Sequence, residues 1–124
     1  MHRELEFVLS KYDLTPPEWT LLGQLEEIGP LRLTKLADLL NVRMPFVSNL
    51  VATLKDKGLV EIVDSNTDKR VKIASLSGES RSKLPEIEEN VLMHMTDLLN
   101  GVSSLELASY AKVLKLIAAN YSED

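Results

Sequence analysis

The stretch from residue 33 to residue 76, LTKLADLLNVRMPFVSNLVATLKDKGLVEIVDSNTDKRVKIASL, decides the fold of this chain. Apolar residues recur at helical spacing in two short segments, which a corner at Asn41 and Val42 separates. Lys57 and Gly58 then end the second segment, and two alternating segments joined by a polar turn follow. Helix, corner, helix and hairpin in this order predict a helix-turn-helix with a β-wing, an arrangement that presents one helix to a DNA major groove.

The second helix of this corner is predicted from Pro45 to Lys57. Pro45 suits a first helical turn, because its missing N–H costs no hydrogen bond there. Four apolar residues share the face expected to be buried: Val47, Leu50, Val51 and Leu54. The opposite face carries short side chains, namely Pro45, Ser48, Asn49, Ala52 and Thr53. Asn49 is a candidate base reader, because an amide pairs bidentately with adenine.

The preceding helix is expected to bury Leu36, Ala37, Leu39 and Leu40. After the second helix, Val60 with Ile62 and Val71 with Ile73 alternate as in strands that have one buried face. The turn at residues 64–68 leads to a basic cluster of Lys69, Arg70 and Lys72. An arginine on a thin hairpin can enter a narrow minor groove. Taken alone, the cluster also fits an ordinary solvated hairpin.

These motifs resemble the MarR family of winged-helix transcription regulators over nearly the whole chain. The resemblance rests on Leu14-Thr15 with Trp19, the LADLL helix, PFVSNLVATL, KDKGLV and DKRVKIASLS, and its most specific part is Asp68-x-Arg70 after Gly58-Leu59-Val60. It implies a homodimer that binds pseudo-palindromic duplex DNA, a recognition helix at 45–57, and an Arg70 that reaches the minor groove. It also implies a small-molecule effector, since many members release DNA on binding one. We expect DNA contacts from Arg32, Lys35, Arg43, Pro45, Ser48, Asn49, Thr53, Lys69, Arg70 and Lys72.

Four positions depart from the family's pattern. Ile62 and Asn49 stand where basic residues are common, Arg32 replaces a Ser/Thr helix cap, and Ser80 replaces a frequent glycine. The segment before Leu14 also looks short. The departures at Ile62 and Asn49 remove two basic DNA contacts without altering the predicted fold.

The charge of the chain is unevenly distributed. The net charge is −5 over 124 residues, which on average repels DNA. Residues 30–76, however, hold eight Lys/Arg and five Asp/Glu, whereas the segments 1–29 and 77–124 each carry −4. The basic charge therefore lies in the predicted DNA-binding lobe. No apolar run is long enough to cross a membrane and no signal peptide is visible, so we expect a cytoplasmic protein.

The two flanks of the lobe are predicted to be helical. Leu5, Val8, Leu9 and Tyr12 space a first helix, and Thr15 with Glu18 forms a capping box for a second helix that runs to about Ile28. A helix that either begins or kinks at Pro85 is expected to end at Asn100-Gly101, and another opens at Ser103. The expected dimer interface comprises Leu5, Leu9, Leu107, Tyr110, Leu114, Ile117 and Tyr121.

These observations predict a single, mostly α domain with a small β-wing. Residues 1–29 form N-terminal helices, 30–76 the winged helix-turn-helix lobe, and 77–124 the C-terminal dimerisation helices. Without a phosphate loop, a cysteine or a serine elbow, we expect no catalytic site, metal site or cofactor. His94 with Asn90 and Asp97 is more simply interpreted as a surface histidine, and Trp19 and Phe46 as packing residues. Two alternatives stay open: a winged-helix module that binds protein, and the dimerisation domain of an enzyme.

Overall fold

A computed structural model describes residues 2–98, with side chains described from 5 to 94. The elements in chain order are α1 (His2–Ser10), α2 (Pro16–Ile28), β1 (Leu31–Arg32), α3 (Leu33–Leu40), α4 (Met44–Asp56), β2 (Val60–Asp64), β3 (Lys72–Leu76) and α5 (Gly78–Leu98). No helix in this range is long and apolar enough to cross a membrane. The predicted helix end at Asn100-Gly101, the last helix and its stripe from Leu107 to Tyr121 lie outside the described residues.

Three helices of the fold end in the same way. The residues that follow them, Asp13 after α1, Asn41 after α3 and Gly58 after α4, have left-handed φ angles of 58°, 58° and 78°. In each case the next N–H donates to the carbonyl five residues earlier, at 3.0–3.1 Å. This is the Schellman motif, and it favours Gly, Asn or Asp at the left-handed position. The chain therefore turns sharply at the corner between α3 and α4 and at the exit of α4.

The capping box at the start of α2 is confirmed. The Thr15 hydroxyl accepts from the Glu18 N–H at 3.4 Å, and the Glu18 carboxylate accepts from the Thr15 N–H at 2.8 Å. Pro16 and Pro17 occupy the first turn, and Ile28 ends the helix as predicted. Local sequence thus defines α2 from its cap to its last residue.

The three strands form one antiparallel sheet in the order β1-β3-β2. The hairpin pairs Val60 with Leu76 and Ile62 with Ala74, and Leu31 of β1 pairs with Ala74 from the other side. The prediction that Val71 and Ile73 form the buried face of the return strand is wrong. Ala74 and Leu76 are the buried residues of β3, because this register places them beside Val60 and Ile62.

The core lies among α1, α2, the buried faces of α3 and α4, the sheet and the first half of α5. Val47, Val51 and Leu54 are fully buried, as predicted, and Leu50 packs half-buried against them. The prediction for Leu39 is wrong: its side chain is exposed, and α3 buries Leu36, Ala37 and Leu40 instead. These three residues form an apolar face that is wide enough for a helix that packs against the core with one side only.

The fifth helix is continuous through Pro85. It begins at Gly78, and the Ser77 hydroxyl accepts the Ser80 N–H at 3.0 Å as its cap. We predicted that the helix would begin or kink at Pro85. It instead begins seven residues earlier, at Gly78. Leu84 and Ile87 are buried on either side of Pro85, so core packing stabilises helical structure at a position that lacks one donor.

Candidate nucleic-acid interface

The outward face of α4 is the first part of the candidate interface. Pro45, Ser48, Asn49, Ala52 and Thr53 are all exposed, whereas the opposite face of the helix is sealed into the core. Short side chains let the helix axis approach base edges closely. The face combines the hydrogen-bonding groups of an amide and two hydroxyls with the small apolar surfaces of Pro45 and Ala52, which are groups that can read a major groove.

Two arginines stand at the starts of the two corner helices. Arg32 occupies the N-cap position of α3 and Arg43 that of α4, and neither provides a side-chain hydrogen bond to its helix. Both residues are exposed, as is Lys35 in the first turn of α3. A serine at the N-cap accepts a hydrogen bond from a backbone N–H of the first turn, whereas these arginines do not. These exposed cations therefore lie at the positive ends of the two helix dipoles, where an anionic ligand is favoured.

The wing is held by a compact set of polar contacts. The Asp68 carboxylate accepts from the Arg70 N–H at 2.9 Å, from Arg70 Nε at 3.2 Å and from Arg70 Nη2 at 3.2 Å. The Ser65 N–H donates to the Val71 carbonyl at 2.8 Å and closes the turn. Arg70 keeps 91% of its side chain exposed while it is held in place. Asp68 therefore orders the wing arginine without burying it.

The charge state of the wing follows from the same contacts. Hydrogen bonds from the Arg70 side chain and N–H hold the pKa of Asp68 below its ordinary value, and the positive charge of Arg32 adds to this lowering. Lys72 forms a second ion pair with Asp64. Two of the three wing cations are thus paired with acids, so the wing carries a net charge of only +1 over residues 64–72.

The wing base and the two corner helices meet at one cleft. It has a volume of about 320 Å³ and is lined by Arg32, Leu33, Thr34, Met44, Arg70, Val71 and Lys72. The structure therefore brings the predicted cations Arg32, Arg70 and Lys72 together beside the start of α4. The remaining predicted residues, Lys35, Arg43, Pro45, Ser48, Asn49, Thr53 and Lys69, are exposed on the corner helices and the wing tip.

Sequence reasoning missed three features of this surface. Met44 and Phe46 keep 37% and 36% of their surface exposed at the start of α4, so the interpretation of Phe46 as a packing residue holds only in part. The third feature is β1, whose pairing with β3 places Arg32 beside Ile73 at the base of the wing. A two-residue strand has no periodicity, so no sequence signal marked it.

Comparisons with known proteins agree on one family. The sequence profile described as MarR family matches residues 12–71. An uncharacterized HTH-type transcriptional regulator of Bacillus subtilis, YwoH, is 31% identical over 108 residues, which are 87% of this chain and 78% of that protein. The match thus extends well beyond the winged-helix lobe.

Solved structures show the same fold. YusO of Bacillus subtilis superposes with a TM-score of 0.75 at 23% identity, over 94% of this chain and 82% of that one. A mutant of MarR from E. coli complexed with operator DNA has a TM-score of 0.71 at 22% identity, over 93% of this chain and 83% of that one. The arrangement of α3, α4 and the hairpin therefore belongs to a fold that has been crystallised on DNA.

Proposed function

Because this chain belongs to the MarR family of transcription regulators, we propose that it acts as a homodimer that binds specific duplex DNA sequences under the control of a small molecule. The observation that carries the proposal is the shared surface of the wing and the recognition helix α4. One cleft joins Arg32 and the wing cations to the start of α4, whose outward face is exposed and lined by short side chains. The helix would read base edges while the cations contact phosphates. Such a regulator would work in the cytoplasm as a single domain with three parts, residues 1–29, 30–76 and 77–124. We propose no enzymatic activity for it.

Selection of bound duplexes from a random pool tests this function. We expect a palindrome whose half-sites lie about one helical turn apart, roughly 10 bp, since a two-fold pair presents two recognition helices to successive major grooves. Recovery of one unpaired half-site would contradict the dimeric geometry. A pool with no enriched sequence would contradict sequence-specific binding.

A protein-binding module is a second candidate, because acids pair with Arg70 and Lys72 and so reduce the positive field of the wing. Salt dependence separates the two candidates. DNA binding that neutralises phosphates weakens steeply as salt rises. Weak binding to every duplex, with little dependence on salt, would favour the protein-binding module.

An exposed patch of α1 and α5 supports the dimer. Phe7 and Met93 keep 56% and 61% of their surface exposed, and the His94 ring lies 5.8 Å from that of Phe7. Large apolar groups clustered on the surface mark interaction sites. Leu5 and Leu9, expected at the interface, are instead buried within their own protomer. We therefore propose that Phe7 and Met93, and not these two leucines, contact the second copy.

Phe7→Glu tests the dimer. It places a charge in the patch, and we expect a shift to monomer in light scattering together with weaker DNA binding. Ile28→Glu is the matched control, because Ile28 is 54% exposed at the end of α2. Equal dissociation by both variants, or none by Phe7→Glu, would contradict this interface.

The effector would enter a second cleft, of about 480 Å³, between the α1–α2 corner, the end of α4 and α5. Its lining combines the apolar groups of Tyr12, Leu14, Leu59 and Ile87 with three lysines, Lys11, Lys57 and Lys83, and two acids, Asp13 and Glu86. Three lysines against two acids give the lining a net charge of +1, so we expect a small anionic aromatic compound there. A thermal-shift screen should yield compounds that raise the melting temperature and weaken DNA binding. If the compounds that raise the melting temperature leave DNA binding unchanged, control from this cleft is contradicted.

A further inference from the structure

One partly buried ion pair links the recognition helix to the N-terminal helices. Lys57, which follows the last residue of α4, places its Nζ 3.0 Å from Glu18 Oε2 and 3.2 Å from Glu18 Oε1. The Glu18 side chain is 4% exposed and that of Lys57 is 23% exposed. The two residues are 39 positions apart in the chain, so the contact is made by the fold alone.

Glu18 is itself held rigidly. Its carboxylate accepts from the Thr15 N–H and hydroxyl as part of the capping box, at 2.8 and 3.0 Å. Lys57 also donates to the backbone carbonyl of Asp13, whose left-handed conformation ends α1. The ammonium of Lys57 therefore lies against three fixed oxygens at the corner between α1 and α2.

Hydrogen bonds from Ser77 also fix the end of α4 on its other side. The Ser77 hydroxyl donates to the Gly58 carbonyl at 2.8 Å, and the Ser77 N–H donates to the Leu59 carbonyl at 3.0 Å. Ser77 is also the cap of α5. One end of the recognition helix is thus joined to both the α1–α2 corner and the start of α5.

We propose that the Glu18–Lys57 ion pair is a positioning device that sets the direction of the recognition helix relative to α1 and α5. The inference rests on the proposed function, since α1 and α5 carry the patch assigned to the second copy. In a dimer, the angle of each α4 against these helices determines the distance between the two recognition helices. Lys57 and Glu18 would therefore select the spacing of the half-sites without touching DNA.

A stability role and a positioning role make different predictions. A buried carboxylate that loses its partner destabilises the protein, whichever role the pair has. Removing both charges relieves that penalty. The double variant Glu18→Gln/Lys57→Met should thus recover the melting temperature lost by Lys57→Met. If the pair positions α4, selectivity for half-site spacing should stay lost in the double variant, because the neutral side chains no longer fix the angle.

The experiment measures binding of the full chain to the duplex recovered from the random pool and to duplexes with one base pair inserted or deleted between half-sites. Wild type should prefer its own spacing. The double variant should bind the duplex with that spacing about fivefold or more weakly than wild type, which is the low end of typical coupling between sites. It should bind the altered duplexes as tightly as wild type does. Lys57→Arg should restore the preference, since a guanidinium can also pair with a carboxylate.

Lys55→Met is the matched control, because Lys55 is exposed in the last turn of the same helix. It should weaken binding to all spacings alike. A folded double variant that keeps the wild-type spacing preference would overturn the positioning role while leaving the proposed function intact. A wild-type chain that binds duplexes without regard to spacing would overturn the dimeric function and this inference with it.

Discussion

Replacing Arg70 by alanine tests the wing directly. Arg70 projects from the hairpin with 91% of its side chain exposed, and Asp68 holds it at 3.2 Å. The variant should weaken binding across many sequences, because a wing cation contributes charge and groove shape and makes no bidentate base contact. The preference profile at the bases that we propose α4 reads should stay unchanged.

The magnitude follows from counterion release. Each neutralised phosphate contributes about −0.9 to the slope of log affinity against log salt concentration. The proposed homodimer would present Arg70 twice, so Arg70→Ala should make the slope shallower by about 1.8. Between 50 and 200 mM salt, the affinity of wild type should therefore fall about 12-fold more than that of the variant.

Fluorescence anisotropy titrations at four or more salt concentrations measure this slope. Lys83→Ala is the matched control, because it removes the same charge from the exposed side of α5, where Lys83 pairs with Glu79 at 2.7 Å. Its slope should equal that of wild type. Equal changes in both variants would show that only total charge matters, and an unchanged slope for Arg70→Ala would refute phosphate contact by the wing.

Three further predictions concern base reading, packing and wing order. Asn49→Ala should relax preference at one base position, at a cost of about 1–3 kcal/mol, and an unchanged profile on matched and mismatched duplexes would exclude the amide contact. In urea unfolding, Leu36→Ala should lower the free energy of unfolding by about 2–5 kcal/mol, because its side chain is fully buried. Leu39→Ala on the same helix should cost only about 1 kcal/mol, because Leu39 is 37% exposed and buries less apolar surface; equal losses would contradict the burial pattern. Since the pKa of Asp68 is lowered, its pair with Arg70 favours the ordered wing above the ordinary aspartate pKa and is lost as pH falls through the lowered value. The NMR signal of the Arg70 Nε–H should therefore persist below the pH at which an ordinary aspartate is half protonated, about 3.9, and its loss at that pH would contradict the pairing.

The sequence alone determined what depends on neighbours along the chain. The capping box of Thr15 and Glu18 and the stop at Gly58 are made by residues within one helical turn, so the residue types define them. The buried face of α4 follows from helical periodicity, which needs no knowledge of the partner elements. The family resemblance, now confirmed, came from the order of such local signals.

The tertiary structure decided what depends on residues distant in the chain. Periodicity placed Leu39 in the core, but how much of α3 is buried depends on the elements that cover it. Periodicity also selected the wrong face of β3, because the buried face of that strand depends on its register with β2. The strand β1 exists only through its pairing with β3. The contact of Lys57 with Glu18 joins the end of α4 to the start of α2, and only the tertiary structure brings these two elements together. Contacts of this kind carry no local sequence signature, because lysine and glutamate are ordinary surface residue types and only the fold brings the two side chains together.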